Sequence, residues 1–548
     1  MITIALTTLA DITEGQLIIP VSDSEDKTLL SMAKRSSDNL SINDLIIDSR
    51  AIESPDKNTD ATAGNSAEKR TAFLALNGPN FDGHQFAQQV IERGCKLLIV
   101  DHQLTSVVDT PQLVVADTRI ALGKIAAFVK KELAPKTVGI TGSSGKTTVK
   151  EMVAAILSRL GKVLATNGNF NNDIGVPLTL LRLDSSHDFA VIEMGANHLG
   201  EIAYTSALTQ PDIALINNVA AAHLEGFGDL CGVARAKGEI FSGLGDKGIA
   251  LYSQNISYAN IWQWRLTDKT VRTFSSVNSS VNKADCYSDN IQLDNKGCAT
   301  FTLNSEQGCC QVGLTIPGQH NVDNALAAAC IAIEFGASLE DVQLGLAQMK
   351  PVQGRLNLHQ LKDNKTGCHI KLIDDSYNAN LESAKVAVQL LANYAGNKIL
   401  VLGDMGELGS AARSYHQEVG EFAKDLQVNT LLSLGVLSQS ASDSFAKHND
   451  QNYLSQHFNQ REELLHHLMK IISQQLLMGQ QEIAILVKGS RSMHMEHVVT
   501  AIIKWLEQGN TEQSDTGEST SQVGIIRSAN DFNKQHKKSE NQTKEGMA

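Results

Sequence analysis

TVGITGSSGKTT, residues 137–148, is the stretch from which the rest of the chain can be read. Val138 and Ile140 close an apolar run suited to a buried strand. Gly142 and Gly145 flank a tight turn, and Lys146, Thr147 and Thr148 open a helix that continues as VKEMVAAILSRL (149–160). A strand, a glycine loop and a helix N-terminus in that order aim backbone N–H groups, with the positive end of the helix dipole, at a bound phosphate. Lys146 can reach terminal phosphates, and the Thr147 hydroxyl can ligate Mg²⁺. The common phosphate loop carries another glycine five places before Gly145, where this chain has Ile140. A plain Gly/Ser turn is the competing reading, and it leaves the Lys-Thr pair at the helix start unexplained.

Outward from the loop, 548 residues suggest three or four domains, and 42% hydrophobic against 20% charged residues supply sizeable cores. The net charge of −13, from 47 basic and 60 acidic residues without a basic block, argues against nucleic acid or an anionic membrane as main partner. Anionic small substrates, which need only a local cationic pocket, stay open. Eight cysteines without metal spacing read as reduced thiols. MITIALTTLADITEG (1–15) lacks the basic start of a signal peptide, and no apolar run reaches the ~20 residues of a membrane span. The expectation is a cytoplasmic chain, read as a monomer.

The fold expected is α/β in three domains, with a disordered polar tail over 508–548. Residues 1–115 mix short strands and helices, with strands expected in LIIDSRAI (45–52) and CKLLIVD (95–101) and a flexible insertion at 54–70. Residues 116–350 alternate strands such as DFAVIEMG (188–195) and DIALINNV (212–219) with helices such as GVARAKGEIFSGL (232–244), which implies a parallel sheet with crossover helices. Residues 260–317, rich in Thr, Ser, Asn and Val, suggest an antiparallel addition. Residues 351–507 begin a second doubly wound sheet, with strands in CHIKLIDD (368–375), NKILVLGDM (397–405), TLLSLG (430–435) and EIAILVKG (482–489). A small apolar patch, 523–526, stands out in the tail, with no specific role expected.

Several segments carry chemistry. ATNGNFNNDIGVPLTLL (165–181) can place amide donors around an anion, although alone it reads as a surface loop. Glu193 and His223 follow strands, at the edge where open α/β sheets gather ligands, and could hold Mg²⁺; a capping or core role for His223 is equally compatible. Lys237 alone reads as a surface lysine. Arg355, in PVQGRLNL (351–358) between the two α/β regions, has the rigid donor fork that suits a phosphate. DDSYNAN (374–380), GDMGELG (403–409) and KGSRSMHME (488–496) end three strands of one sheet, which points to a second ligand-binding edge.

In this order, TGSSGKTT, NGNFNNDIGVP, EMGANHLGEI, NNVAAAHLEGFG, AKGEIF, PGQHNVDNALAA, the GR of PVQGRL, DDSYNAN and VKGSRSMHME resemble the motifs of Mur ligases, the ATP-dependent peptide-bond-forming enzymes of peptidoglycan precursor synthesis. FLALNGPNFDGHQF (73–86) is similar to the nucleotide-sugar domain of the branch that adds D-alanyl-D-alanine to a UDP-MurNAc-tripeptide. The resemblance implies a small UDP-sugar-binding domain (1–115), a central ATP-binding domain (116–350) and a C-terminal Rossmann-like domain (351–507). It implies an ADP-forming ligation through an acyl phosphate, with UDP-MurNAc-tripeptide and D-Ala-D-Ala as substrates and ATP and Mg²⁺, two ions, as cofactors. Lys146, His223, Lys237 and Arg355 would be catalytic. ATP would contact Gly142, Ser143, Ser144, Gly145, Lys146, Thr147, Thr148, Asn321, Asn324, Arg355 and Asp375. Thr147, Glu193 and His223 would hold metal, and Lys237 matches the family lysine that is often carbamoylated. Ser49, Arg50, Asn171, Asn172, Tyr377, Asn378, Lys488, Ser490 and Arg491 would bind substrate. Leu381 stands where related ligases usually have Pro. A sister ligase adding the third amino acid typically carries a DNP[AR]-like signature, where this chain has DDSYNAN and GDMGELG. A folylpolyglutamate synthase-like ligase is a weaker alternative. A non-catalytic nucleotide or muropeptide binder on this scaffold would be expected to have lost Lys146, His223 or Arg355. A motor-type NTPase leaves the C-terminal motifs unexplained.

Overall fold

The computed structural model describes residues 1–20, 40–52, 69–79, 81–277, 283–446 and 453–511. The expected insertion at 54–70, apart from its last two residues, lies outside them, as does the tail from 512 on with its 523–526 patch. The last helix, Glu496–Thr511, extends past the point where the tail was expected to begin.

The described chain forms two compact units. One holds Met1–Leu293, Ala299–Thr315 and Gln319–Lys350; the other holds Asp294–Cys298, Ile316–Gly318 and the described residues from Pro351 onward.

The first unit contains a five-stranded sheet ordered Gln16–Ile18, Gln112–Val114, Leu97–Val100, Thr71–Leu74, Asp44–Ile46, parallel except for its first strand. Of LIIDSRAI only Leu45 and Ile46 are extended, in the strand Asp44–Ile46. Asp48 then caps a 3-10 turn, Ser49–Ala51, by accepting from Arg50 N. The larger sheet has nine strands in the order Val163–Ala165, Phe189–Glu193, Lys136–Thr141, Ile213–Ile216, Ile249–Ser253, Thr270–Ser275, Cys286–Leu293, Cys298–Ser305, Gly308–Pro317. Parallel pairing runs from the first strand to Cys286–Leu293, and the antiparallel addition starts only at Cys298–Ser305. The expected start of the antiparallel part, near residue 260, is therefore too early. Thr and Ser suit a half-buried strand of either direction, so composition could not place the switch.

The loop strand is central: Lys136–Thr141 lies between Phe189–Glu193 and Ile213–Ile216. Val138 and Ile140 are fully buried, as a strand covered on both faces requires. The loop helix, Lys146–Leu157, buries Val149, Met152, Val153 and Ile156, one helical face at spacings of three and four. At about 1.5–3 kcal/mol each, those four side chains contribute roughly 6–12 kcal/mol as an upper bound. Residues 232–244 do not form one helix: an α-helix, Leu230–Gly238, gives way to a 3-10 segment, Glu239–Gly243.

The second unit is built on six strands ordered Asn357–Lys362, His369–Asp375, Glu482–Lys488, Asn397–Gly403, Thr430–Leu434, Leu454–Phe458; all pairs are parallel except the first. The departure at Leu381 leaves the turn intact. Asn380 caps the helix Leu381–Ala392 in a capping box with Ser383, and Leu381 takes the first helical position with its side chain buried. Proline is favoured there only because its fixed φ suits the position and its missing N–H is not needed.

Candidate active site

In the first unit the phosphate loop is held by amides. Gly145 has φ +76°, a left-handed conformation that glycine adopts without penalty. A Cβ there would lie 2.6 Å from both Asn217 Nδ2 and Asn324 Oδ1, so glycine is also demanded by space. Asn217 and Asn218, just beyond the strand Ile213–Ile216, clamp the loop. Their Nδ2 groups donate to Ser144 O at 3.1 and 3.0 Å, and Ser144 N donates to Asn218 Oδ1 at 2.9 Å. Ser143 Oγ donates to Ala220 O at 2.9 Å. Asn217 Nδ2 also donates to Asn324 Oδ1, and Asn324 Nδ2 to Asn321 Oδ1, a buried relay from the loop to the helix Asn321–Glu334. The Lys146 ammonium donates to Gly142 O at 2.8 Å, which keeps it over the loop.

The metal-type donors converge beside it. Thr147 Oγ1 donates to Glu193 Oε2 at 3.0 Å, and Asn171 Nδ2 donates to Glu193 Oε1 at 2.8 Å. Adjacent ligands of an octahedral Mg²⁺ at 2.0–2.1 Å lie about 2.9 Å apart, so the Thr147–Glu193 pair already spans one edge of such a shell. Glu193 is held from behind: its N–H donates to Thr166 Oγ1 at 3.0 Å, while Thr166 O accepts from the buried Lys150 Nζ at 2.6 Å.

His223 adopts φ +54° ahead of the short helix Leu224–Phe227, its ring edge-on to Phe227. Lys237 is not a surface lysine. Its helix is packed beneath Trp262, whose Nε1 donates to Ala234 O at 2.9 Å, and the Lys237 side chain is buried. Burial pushes the Lys237 amine well below the usual lysine range, and the nearby Lys146 charge adds to this.

The second unit gathers its own cluster at the ends of His369–Asp375 and Glu482–Lys488. Asp375 and Lys488 form a buried ion pair; Lys488 Nζ also donates to Asn378 O at 2.9 Å, and Asp375 Oδ1 accepts from Leu356 N at 3.2 Å. Burial raises the Asp375 pKa and lowers that of Lys488; each charge opposes the shift of the other. The Arg355 guanidinium lies 4.4 Å over the Tyr377 ring, and Arg491 lies 5.7 Å from the same ring. Arg355 Nε is buried and makes no hydrogen bond among the described residues, a donor left for another group.

The model of the Mur ligase middle domain matches residues 140–332, and that of the Mur ligase glutamate ligase domain matches residues 354–491. The chain is 47% identical over 431 residues to the UDP-N-acetylmuramoyl-tripeptide–D-alanyl-D-alanine ligase of Escherichia coli K12, covering 78% of this chain and 90% of that one. It is 44% identical over 434 residues to the enzyme of the same name from Haemophilus influenzae, with the same coverage. The chain belongs to the Mur ligase family. A crystal structure of MurF from Acinetobacter baumannii superposes with a TM-score of 0.78 at 35% identity, covering 92% of this chain and 99% of that one.

Within the Mur ligase framework, the structure ties Ser144 through Asn217 and Asn218 to Asn324 and Asn321 in one hydrogen-bonded network and Thr147, Glu193 and Asn171 in another, with Gly142, Ser143, Gly145 and Lys146 on the loop. Thr148 lies in the first turn of the loop helix. Asn172 differs from its neighbour: its Oδ1 accepts from Gly175 N at 2.8 Å, fixing the turn into the helix Gly175–Leu180. Arg50 is paired with Asp48 in the 3-10 turn, and Ser49 O accepts from Arg93 Nη1 at 2.9 Å. Ser490 N donates to Asp404 O, and Ser490 Oγ lies 3.2 Å from Ser492 Oγ. In GDMGELG, Asp404 takes a structural place, accepting from the N–H groups of Val436, Leu437 and Ser438.

Residue-level reading of the sequence passed over Thr166, Lys150, Asn217 and Asn218. The asparagines had a signal, their place at the carboxyl end of a strand next to the loop strand. Lys150 had none, because a buried lysine and a solvated one look alike in a helical pattern.

Proposed function

We propose that this Mur ligase joins D-alanyl-D-alanine to a UDP-MurNAc-tripeptide at the expense of ATP, giving the UDP-MurNAc-pentapeptide precursor of peptidoglycan. The substrates follow from the relatives, whose names state them and which this chain matches along 90% of their length. The observation that carries the chemistry is the Thr147–Glu193 pair at an octahedral edge, beside the loop that holds Lys146.

A free carboxylate is a poor electrophile. The tripeptide carboxylate attacks the γ-phosphorus of ATP; the bond to the bridging oxygen breaks, and ADP leaves with an acyl phosphate formed. The dipeptide amine then adds to the acyl carbon. The tetrahedral intermediate collapses, the C–O bond to phosphate breaks, and the amine gives up a proton as the amide forms. Positioning and charge neutralisation carry such a reaction. Lys146 and the loop N–H groups stabilise the transferring phosphoryl group. Thr147 and Glu193 are proposed to hold one Mg²⁺ and His223 a second; Mg²⁺ bound there would neutralise phosphate charge. Asn321, Asn324, Arg355 and Asp375 are assigned to the nucleotide. Ser49, Arg50, Asn171, Asn172, Tyr377, Asn378, Lys488, Ser490 and Arg491 are assigned to the muropeptide and dipeptide.

Lys237 is proposed to be carbamoylated. Its neutral amine, which burial favours, is the form that adds to CO₂, losing a proton to give a carbamate that places a negative charge near Lys146. The domain boundaries proposed are 1–115, 116–350 and 351–507, in a monomeric cytoplasmic enzyme. No helix among the described residues is long and apolar enough to cross a membrane.

The test is phosphate release from ATP with UDP-MurNAc-tripeptide, comparing D-Ala-D-Ala with single amino acids. Release with D-Ala-D-Ala, lost in a folded Lys146→Ala variant, supports the proposal. Release only with a diamino acid on a dipeptide substrate, or unchanged turnover in Lys146→Ala, overturns it.

A further inference from the structure

The FLALNGPNFDGHQF motif and the strand Leu97–Val100 bring together three side chains that the ligase chemistry does not use. His84 lies in the 3-10 turn Gly83–Phe86, with its side chain only 5% exposed. Its Nδ1 is 2.6 Å from Asp82 Oδ1, so the Nδ1 proton is assigned to that carboxylate contact and Nε2 carries a lone pair. That lone pair faces Asp101 Oδ1 at 3.2 Å, one acceptor against another. The Asp101 N–H, at 3.3 Å from Nε2, is a long and weak donor. His102 Nδ1 approaches the same carboxylate oxygen at 2.5 Å, and the two imidazole rings are 4.7 Å apart. The three ligand atoms all lie within 4.8 Å of one another.

We propose that His84 Nε2, Asp101 Oδ1 and His102 Nδ1 bind a divalent transition ion of the zinc type. Two imidazoles and a carboxylate are the donor set such ions select, whereas Mg²⁺ prefers oxygen alone. Ligands at 2.0–2.2 Å on a tetrahedral centre are about 3.3–3.5 Å apart. The His84–Asp101 edge nearly has that length. The His102–Asp101 edge must open by about 0.8 Å to reach it, and His102, 62% exposed, is free to turn. The Asp82 carboxylate on His84 Nδ1 is the outer partner that would fix the tautomer and orientation of a metal-bound imidazole. Asp101 is 31% exposed, so a fourth position can be filled from solvent. An ion here would tie the turn Gly83–Phe86 to the residues that follow Leu97–Val100. The site is independent of the ligase reading.

The experiment uses untagged full-length chain, stripped with chelator, kept reduced and held in millimolar Mg²⁺ to fill oxygen-only sites. Co²⁺ is titrated in and followed by its visible absorption. One saturable equivalent, displaced by Zn²⁺ and weakened at least about tenfold in His102→Ala and His102→Gln, supports the site. Zn²⁺ should also raise the melting temperature of the wild type and not of those variants. His494→Ala is the control, because His494, Glu496 and His497 form the other such cluster among the described residues. Absence of a saturable band, a band unchanged in both His102 variants, or one lost equally in His494→Ala overturns the proposal.

Discussion

Gly145→Ala should disable the phosphate loop without unfolding the chain. The new Cβ would stand 2.6 Å from both Asn217 Nδ2 and Asn324 Oδ1, where ordinary contact begins at 3.4 Å. Those atoms are donor and acceptor of one 2.9 Å hydrogen bond between two buried side chains. Forcing them aside costs about 1–3 kcal/mol for the broken buried bond. The left-handed φ of +76° adds about 1–2 kcal/mol for any L-residue. The sum, about 2–5 kcal/mol, predicts a fall in kcat/KM for ATP of at least about 30-fold at 1.36 kcal/mol per decade. The control is Gly94→Ala, at φ +99° with nothing within 4 Å of its Cβ, which carries the backbone cost alone. Phosphate release at varied ATP and melting temperature are measured on both. Activity of Gly145→Ala within about threefold of wild type, or an equal fall in Gly94→Ala, would show that the amide relay does not set the loop.

Three further outcomes are expected. Glu193→Gln should raise the Mg²⁺ concentration for half-maximal activity at least about tenfold while leaving the fold intact; an unchanged Mg²⁺ requirement would remove Glu193 from the metal site. With ¹³C-bicarbonate, the wild type should show a carbamate carbon resonance that Lys237→Arg and Lys237→Ala lack; the same resonance in both variants would place the modification elsewhere. His416 is buried and neutral, donating from Nδ1 to Ala412 O at 2.6 Å and accepting at Nε2 from Met405 N at 2.9 Å. Burial lowers its pKa, so the unfolded chain binds the proton more readily, and stability present above the ordinary value of 6.5 is lost as pH falls through the native one. The loss is at most about 1.4 kcal/mol per pH unit. The melting temperature of wild type should therefore drop more steeply between pH 7 and 5 than that of His416→Gln, and parallel curves would refute this.

Local pattern alone determined that Lys136–Thr141 is a buried strand feeding a phosphate loop and a helix, because strand burial, glycine placement and helix start are short-range matters of sterics and hydrogen bonding. It also marked Glu193 and Arg355, while Asn321, Asn324 and Asp375 were marked by the family resemblance of the ordered motifs. Chain folding over long separations decided the rest. Lys237 alone reads as a surface lysine until the fold buries it beneath Trp262 and beside Lys146, and both effects lower its pKa. Asn171 and Asn172 are alike in sequence, yet one donates to Glu193 and the other fixes the turn that leads into a helix, since only the three-dimensional path of the loop separates them. The switch from parallel to antiparallel at Cys298–Ser305 depends on which strand is met next, not on composition. Residues 137–148 announced a phosphate site by themselves. The asparagines that hold it in shape, 217 and 324, come from distant strand ends and helices, and only tertiary structure brings their amides to the loop.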